Sequence, residues 1–217
     1  MAETGTASAG TQVRRHLRRD TSTTALLDAT AQILSEGTGV DASLHEISKR
    51  ANVNAAMIKY YFGNKEGLLV AVLERDAEMA MGALDHLVQM DIPADRKLRV
   101  HIEGVINAYH HSPYLNRLIH YLMNSGQSAS SERVTEIFIK PIIAAYTAII
   151  AQGVKEGTLA DISPVLLYHA LMGACDHLFH AASCLPKTLG VDQIDDELKR
   201  RYMQFVSTVF LNGLHPR

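Results

Sequence analysis

The chain has 217 residues, 47% of them hydrophobic and 20% charged, with a formal net charge of -2. That is apolar material for one large domain, or for a small domain joined to a larger one, but the net charge makes no whole-molecule field for polyanions, so any nucleic-acid surface has to be local. No run approaches the ~18 uninterrupted apolar residues of a membrane span, no signal peptide is read at the start, and Cys175 and Cys184 suit a reducing cytoplasm rather than a disulfide framework.

Residues 1–12, rich in Ala, Thr, Ser and Gly, have no periodicity and read as disordered. The densest basic run follows, with Arg14, Arg15, Arg18 and Arg19 completing a flexible arm over residues 1–20. Such an arm reaches phosphates or a minor groove, or is a solubilising tail. From Thr23 to Glu36, Leu26, Leu27, Thr30, Ile33 and Leu34 recur at helical spacing. Ser43 and Glu46 fit a capping box opening a short second helix, with Leu44, Ile47 and Ala51 as its inner face. Asn52 suits a left-handed turn, and Asn54 suits the cap of a third helix through Tyr61. Two short helices joined by a four-residue turn have the dimensions of a helix-turn-helix. Val53, Ile58 and Phe62 face inward on this reading, while Ala55, Ala56 and Lys59 are free to enter a groove.

Asn64 caps a fourth helix through about Gln89, and Lys65 in its first turn makes a phosphate seat with the unpaired amides there. Residues 21–67 thus read as a DNA-binding domain, and residues 68–217 as a larger helical one. Further helices are predicted from about Arg96 to His110, Pro113 to Asn124, Glu132 to Lys155 with a kink at Pro141, Pro164 to Ser183, and Asp195 to Gly213, about nine in all. Residues 126–131 form a breaker cluster, and Pro186 to Asp192 a loop. The fold class is all-α. Leu167, Leu171 and Leu178 in the penultimate helix, and Tyr202, Phe205 and Val209 in the last, form broad stripes suited to a four-helix bundle between two copies or to a monomer's core.

The stretches SLHEISKRANV, NAAMIKYYF and GNKEGLL together resemble the TetR family of one-component transcriptional regulators. Ser43, Ile47, Ala51, Phe62, Lys65 and Leu68 match positions usual in that family; Asn52 replaces its turn glycine, and Lys59 replaces the frequent first aromatic of the reading helix. The resemblance implies a homodimer that grips a double-stranded DNA operator and answers to a small-molecule effector, without cofactor and away from the membrane. Ser43, Tyr60 and Lys65 then resemble backbone-positioning contacts, and Asn54, Ala55 and Lys59 groove-facing ones. Later stretches are similar to the RutR-like branch of the family, whose ligand-facing residues vary between relatives.

The family's precedent also implies an effector pocket in the larger domain, for which His110, Tyr121, Tyr146, His169, Asp176 and His177 are the candidates. Asp176, His177, His180 and Cys184 are a set to weigh for a metal: Asp176 and His180, and His180 and Cys184, stand four residues apart, but His177 is offset by about 100° from Asp176, this is not a zinc motif and no metal is assigned. HEISK, at His45 to Lys49, lacks the second histidine of a zincin helix. No phosphate loop, nucleophile elbow or CxxC appears, so a small helical enzyme is the rival class, as is an architectural DNA-binding protein without effector.

Overall fold

The computed structural model describes residues 6–37 and 39–216; for residues 6–20 the description is of the backbone alone. Every regular element is helical: α1 (Thr6–Glu36), α2 (Leu44–Ala51), α3 (Ala56–Phe62), α4 (Lys65–Gln89), α5 (Ala94–His111), α6 (Pro113–Asn124), α7 (Ser128–Val134), a π-helical turn (Thr135–Ile139), α8 (Lys140–Glu156), α9 (Pro164–His180), a 3-10 turn (Ala182–Cys184), α10 (Leu185–Thr188) and α11 (Asp196–Gly213). Ser128–Glu156 is one continuous helical stretch, so with one-turn α10 set aside nine helices stand among the described residues. The chain divides into two compact units after Val72, a point that lies within α4.

The first unit is built as the helical periodicity predicts. Leu26, Thr30, Ile33 and Leu34 of α1 are buried together with Ala42, Ile47 of α2, Ile58 of α3, and Leu68, Leu69 and Val72 of α4. Thr30 avoids an unsatisfied hydroxyl by donating to the Leu26 carbonyl at 2.7 Å. An ion pair at 2.5 Å between Arg50 and Glu36 joins α2 to the end of α1, and its hydrogen bond holds the Glu36 carboxyl below the usual carboxylate range. Leu44 is exposed rather than on the inner face, because α2 turns inward through Ile47 and Ser48. The first helix also begins at Thr6 instead of Thr23, so the backbone is already helical through the basic run.

The second unit packs α5, α6, α8, α9 and α11 around Ile102, Ile106, Leu118, Tyr146, Leu171 and Val206. Lys97 is buried without strain on its ammonium, which donates to the Val88 carbonyl at 2.6 Å and to Gln152 at 2.7 Å. Two sequence expectations are corrected here. Ser128 to Ser131 belong to α7 and do not break it, since Ser131 returns its hydroxyl to the Ser128 carbonyl at 3.0 Å. Pro186 lies in α10, and α9 ends at His180 rather than near Ser183. The irregularity foreseen at Pro141 sits just ahead of it, as the π turn: a proline ring crowds the carbonyl four residues back, here Ile137, and a wider turn at that point relieves the crowding.

Ser128–Glu156 is the one helix among the described residues long and apolar enough to cross a membrane, although its apolar residues do not form one uninterrupted run. Its composition has another use: Val134, Phe138, Ile142, Tyr146, Ile149 and Ile150 are buried inside the unit, and Glu132, Arg133, Glu136 and Lys140 charge its opening turns.

Candidate nucleic-acid interface

The two short helices of the first unit are held at their ends by side chains chosen for that task. Ser43 Oγ accepts the Glu46 amide at 3.1 Å. The reciprocal half of a capping box is replaced by Glu46 lying 4.0 Å from Arg50. Asn52 takes the left-handed conformation, φ 52°, that closes α2, as its residue type allows. The cap position of α3 is Ala55, one residue past the asparagine expected; Asn54 Oδ1 nevertheless accepts the Ala56 amide at 2.8 Å. A second tight corner follows at Gly63, φ 78°, after which Asn64 Oδ1 accepts the Gly67 amide at 2.8 Å and opens α4.

This framework leaves one side of the pair open. Ser43, His45, Lys49, Asn54, Ala55, Ala56, Lys59 and Tyr60 are all exposed, while Ile47 and Ile58 behind them are fully buried. Tyr60 is 68% exposed, and Tyr61 and Phe62 are half-buried, so the three aromatics divide between surface and support. The rings of Tyr60 and Tyr61 meet edge to face at 5.1 Å, which limits the directions the Tyr60 hydroxyl can take. Lys59 and Lys65 make no ion pair among the described residues; Lys59 is exposed and Lys65 half-buried. Cations, a phenol and small side chains on one exposed helical surface are what phosphate contact and close groove approach require.

The side chains of Arg14, Arg15, Arg18 and Arg19 lie outside the described residues. Sequence reasoning missed Gly67, whose absent side chain is a condition of the corner: a Cβ there would stand 2.1 Å from the Phe62 carbonyl oxygen. The two glycines of GNKEG, spaced around a capping asparagine, are the signal that carried it.

In the second unit the six effector candidates differ in burial and in partners. Tyr146 is buried, edge to face with His101 at 5.3 Å. Half-buried His110 places Nε2 2.9 Å from the Ile194 carbonyl. Tyr121, His169 and His177 are exposed, and half-buried Asp176 is bonded to His120. His101 was not selected from the sequence, yet it is buried with Nε2 unpartnered, and burial lowers its pKa to about 4. Burial raises the Tyr109 and Tyr146 hydroxyls, and pushes the Cys175 thiol up to about 12.

The stripe read as a partner-facing surface is divided as well. Leu167, Leu171 and Leu178 of α9 are inside the protomer, for the physical reason that the turn of α9 carrying them packs on α5 and α8. The open side of α9 is Val165, Leu166, His169, Ala170, Gly173 and His177, with Leu166 70% exposed. On α11, Phe205 and Val209 are exposed, at 65% and 50%, whereas Tyr202 is half-buried and donates its hydroxyl to the Ala174 carbonyl. An open groove of about 500 Å³ runs between these helices, lined by Ile162, Leu166, Ala170, Val209 and Phe210. Another, of about 620 Å³, lies along Met123, Arg133, Glu136 and Lys140. Neither takes in any of the six effector candidates.

Comparisons with known proteins cover both units of the chain. Residues 26–72 match the family described as bacterial regulatory proteins, tetR family, and residues 91–216 match the tetracyclin repressor-like C-terminal domain. The chain is 25% identical over 193 residues to the HTH-type transcriptional regulator RutR of Escherichia coli, covering 89% of this chain and 88% of that protein. It is 25% identical over 194 residues to the HTH-type transcriptional repressor NicS of Pseudomonas putida, covering 87% and 90%. In fold it is similar to the transcriptional regulator FadR of Bacillus subtilis, solved with stearoyl-CoA, at a TM-score of 0.70 and 16% identity, covering 88% of this chain and 99% of that one.

Proposed function

The chain belongs to the tetR family of bacterial regulatory proteins, and on that premise we propose that α2 and α3 of each protomer read one half-site of a palindromic operator. As a member it is a ligand-responsive regulator of transcription rather than an enzyme, working as a dimer on double-stranded DNA in the cytoplasm. The observation that carries the residue assignment is the open face from Asn54 to Tyr60 backed by buried Ile47 and Ile58. Lys59 reaches base edges or phosphate, Ala55 and Asn54 allow close approach to the groove, and Ser43, Tyr60 and Lys65 fix the protein on the backbone. Arg14, Arg15, Arg18 and Arg19 add phosphate contacts ahead of α1's packed portion.

Dimerisation uses the open sides of α9 and α11, with Leu166, Ala170, Phe205 and Val209 as its apolar centre in place of the buried leucines. Binding occludes transcription, and a small molecule that prefers the non-binding geometry releases it. The effector site favoured is the interior beside Tyr146 and His101, where a buried ring nitrogen without a partner awaits a polar group. The test is quantitative binding to the DNA upstream of the chain's own gene at several salt concentrations. A preference for one palindromic sequence over random duplex is expected, and equal affinity for all duplexes overturns the reading.

A further inference from the structure

We infer that α6 and α9 together form a binding site for a divalent transition metal, with His120, Asp176 and His180 as its three protein ligands. Asp176 and His180 are four residues apart on α9 and so share a face, onto which α6 brings His120. His120 Nε2 lies 2.8 Å from Asp176 Oδ2, and the rings of His120 and His180 are 4.9 Å apart, inclined at 48°. One ligand atom from each of the three falls within 4.8 Å of the other two.

A hydrogen bond between His120 and Asp176 explains two of these residues but not the third. A metal ion that displaces the proton shared by His120 Nε2 and Asp176 Oδ2 would use the lone pairs of those two atoms together with that of a His180 ring nitrogen. Bonds of 2.0 to 2.2 Å in a tetrahedral site place donor atoms ~3.4 Å apart. Here the close pair has to open by about half an ångström, and His180 has to draw in, both by side-chain rotation. Two imidazoles and one carboxylate suit zinc, cobalt, nickel or ferrous iron, and leave positions for water or for an oxygen or nitrogen donor of a small molecule. Access favours loading: both histidines are exposed, and half-buried Asp176 anchors the floor. In the sequence Cys184 follows His180 by four residues, but the 3-10 turn at Ala182–Cys184 interrupts the helix before it, and His120 from another helix joins Asp176 and His180 instead.

The experiment is a titration of the untagged, chelator-stripped full chain with Co²⁺, read by its visible absorption, followed by competition with Zn²⁺. The expected result is saturation at about one metal per protomer, with His120→Ala and His180→Ala each weakening affinity by at least ~tenfold. His177→Ala, an exposed histidine of the same helix outside the cluster, leaves affinity unchanged. Because His120 and His180 are at the surface, thermal melts of the variants are expected to match the parent without metal. Absence of saturable binding in the parent up to millimolar metal, or binding that survives in the His120→Ala/His180→Ala double variant, overturns the site.

Discussion

Gly67 is a residue whose importance lies in what it lacks. A methyl group placed there meets the backbone oxygen of Phe62, which has no rotamer by which to yield. Gly67→Ala is therefore expected to destabilise the first unit by roughly 1 to 3 kcal/mol, seen as a lowered Tm and weaker operator binding, while the second unit's ligands bind as before. Lys65→Ala acts differently: fold and melting stay as they are, affinity for every duplex falls, and the dependence of log K on log salt loses roughly one counterion. For Lys59→Ala the expected change is in the ranking of operator sequences, by roughly 1 to 3 kcal/mol at the base it reads, and an unchanged ranking removes it from base recognition. His101 supplies a pH test. Its pKa falls from 6.5 to about 4 on folding, so the unfolded chain takes up the proton first. Stability is then greatest above about pH 6.5 and is lost as pH drops toward 4, on the order of 3 kcal/mol, and urea titrations of His101→Met are expected to show a flatter profile.

The helices themselves were largely readable from the 3.6-residue recurrence of apolar side chains, and α2, α3 and α4 from caps as well, because Asn52, Asn54 and Asn64 act locally and their chemistry is visible without the rest of the chain. What periodicity could not assign was which of two apolar faces each late helix keeps for itself. In α9 both Leu167 and Leu166 are leucines; one is buried and the other is open, and only the position of α5 and α8 decides between them. Nor could periodicity say which of the effector candidates lie inside, since burial of Tyr146 and exposure of His169 depend on neighbours far along the sequence. This division is testable. Leu166→Asp or Phe205→Asp is expected to turn a dimer into a folded monomer in sedimentation, with its helical spectrum kept, whereas Leu171→Asp is expected to unfold the second unit, because it places an unpaired charge in the core.

At the scale of the whole protein, sequence-specific binding depends on two headpieces being presented together, ~34 to 36 Å apart on one side of the duplex, so the monomeric variants above are expected to lose operator specificity while retaining weak, salt-sensitive attachment. An effector acts only through its preference for one geometry, each tenfold difference being about 1.4 kcal/mol of coupling. The π turn at Thr135–Ile139 bears on the same unit in another way. Its neighbours Ser130, Val134, Phe138 and Ile142 all point inward at intervals of four, which in a regular α-helix would swing round by about 120° over three intervals. The wide turn absorbs that drift, and so behaves like a spare residue accommodated in the thread of the helix. Deleting one residue between Thr135 and Ile137 should close it into ordinary helix with Val134 and Ile142 still in phase, whereas deleting Ala148 should rotate Ile149 and Ile150 by about 100° away from the interior and scramble the unit.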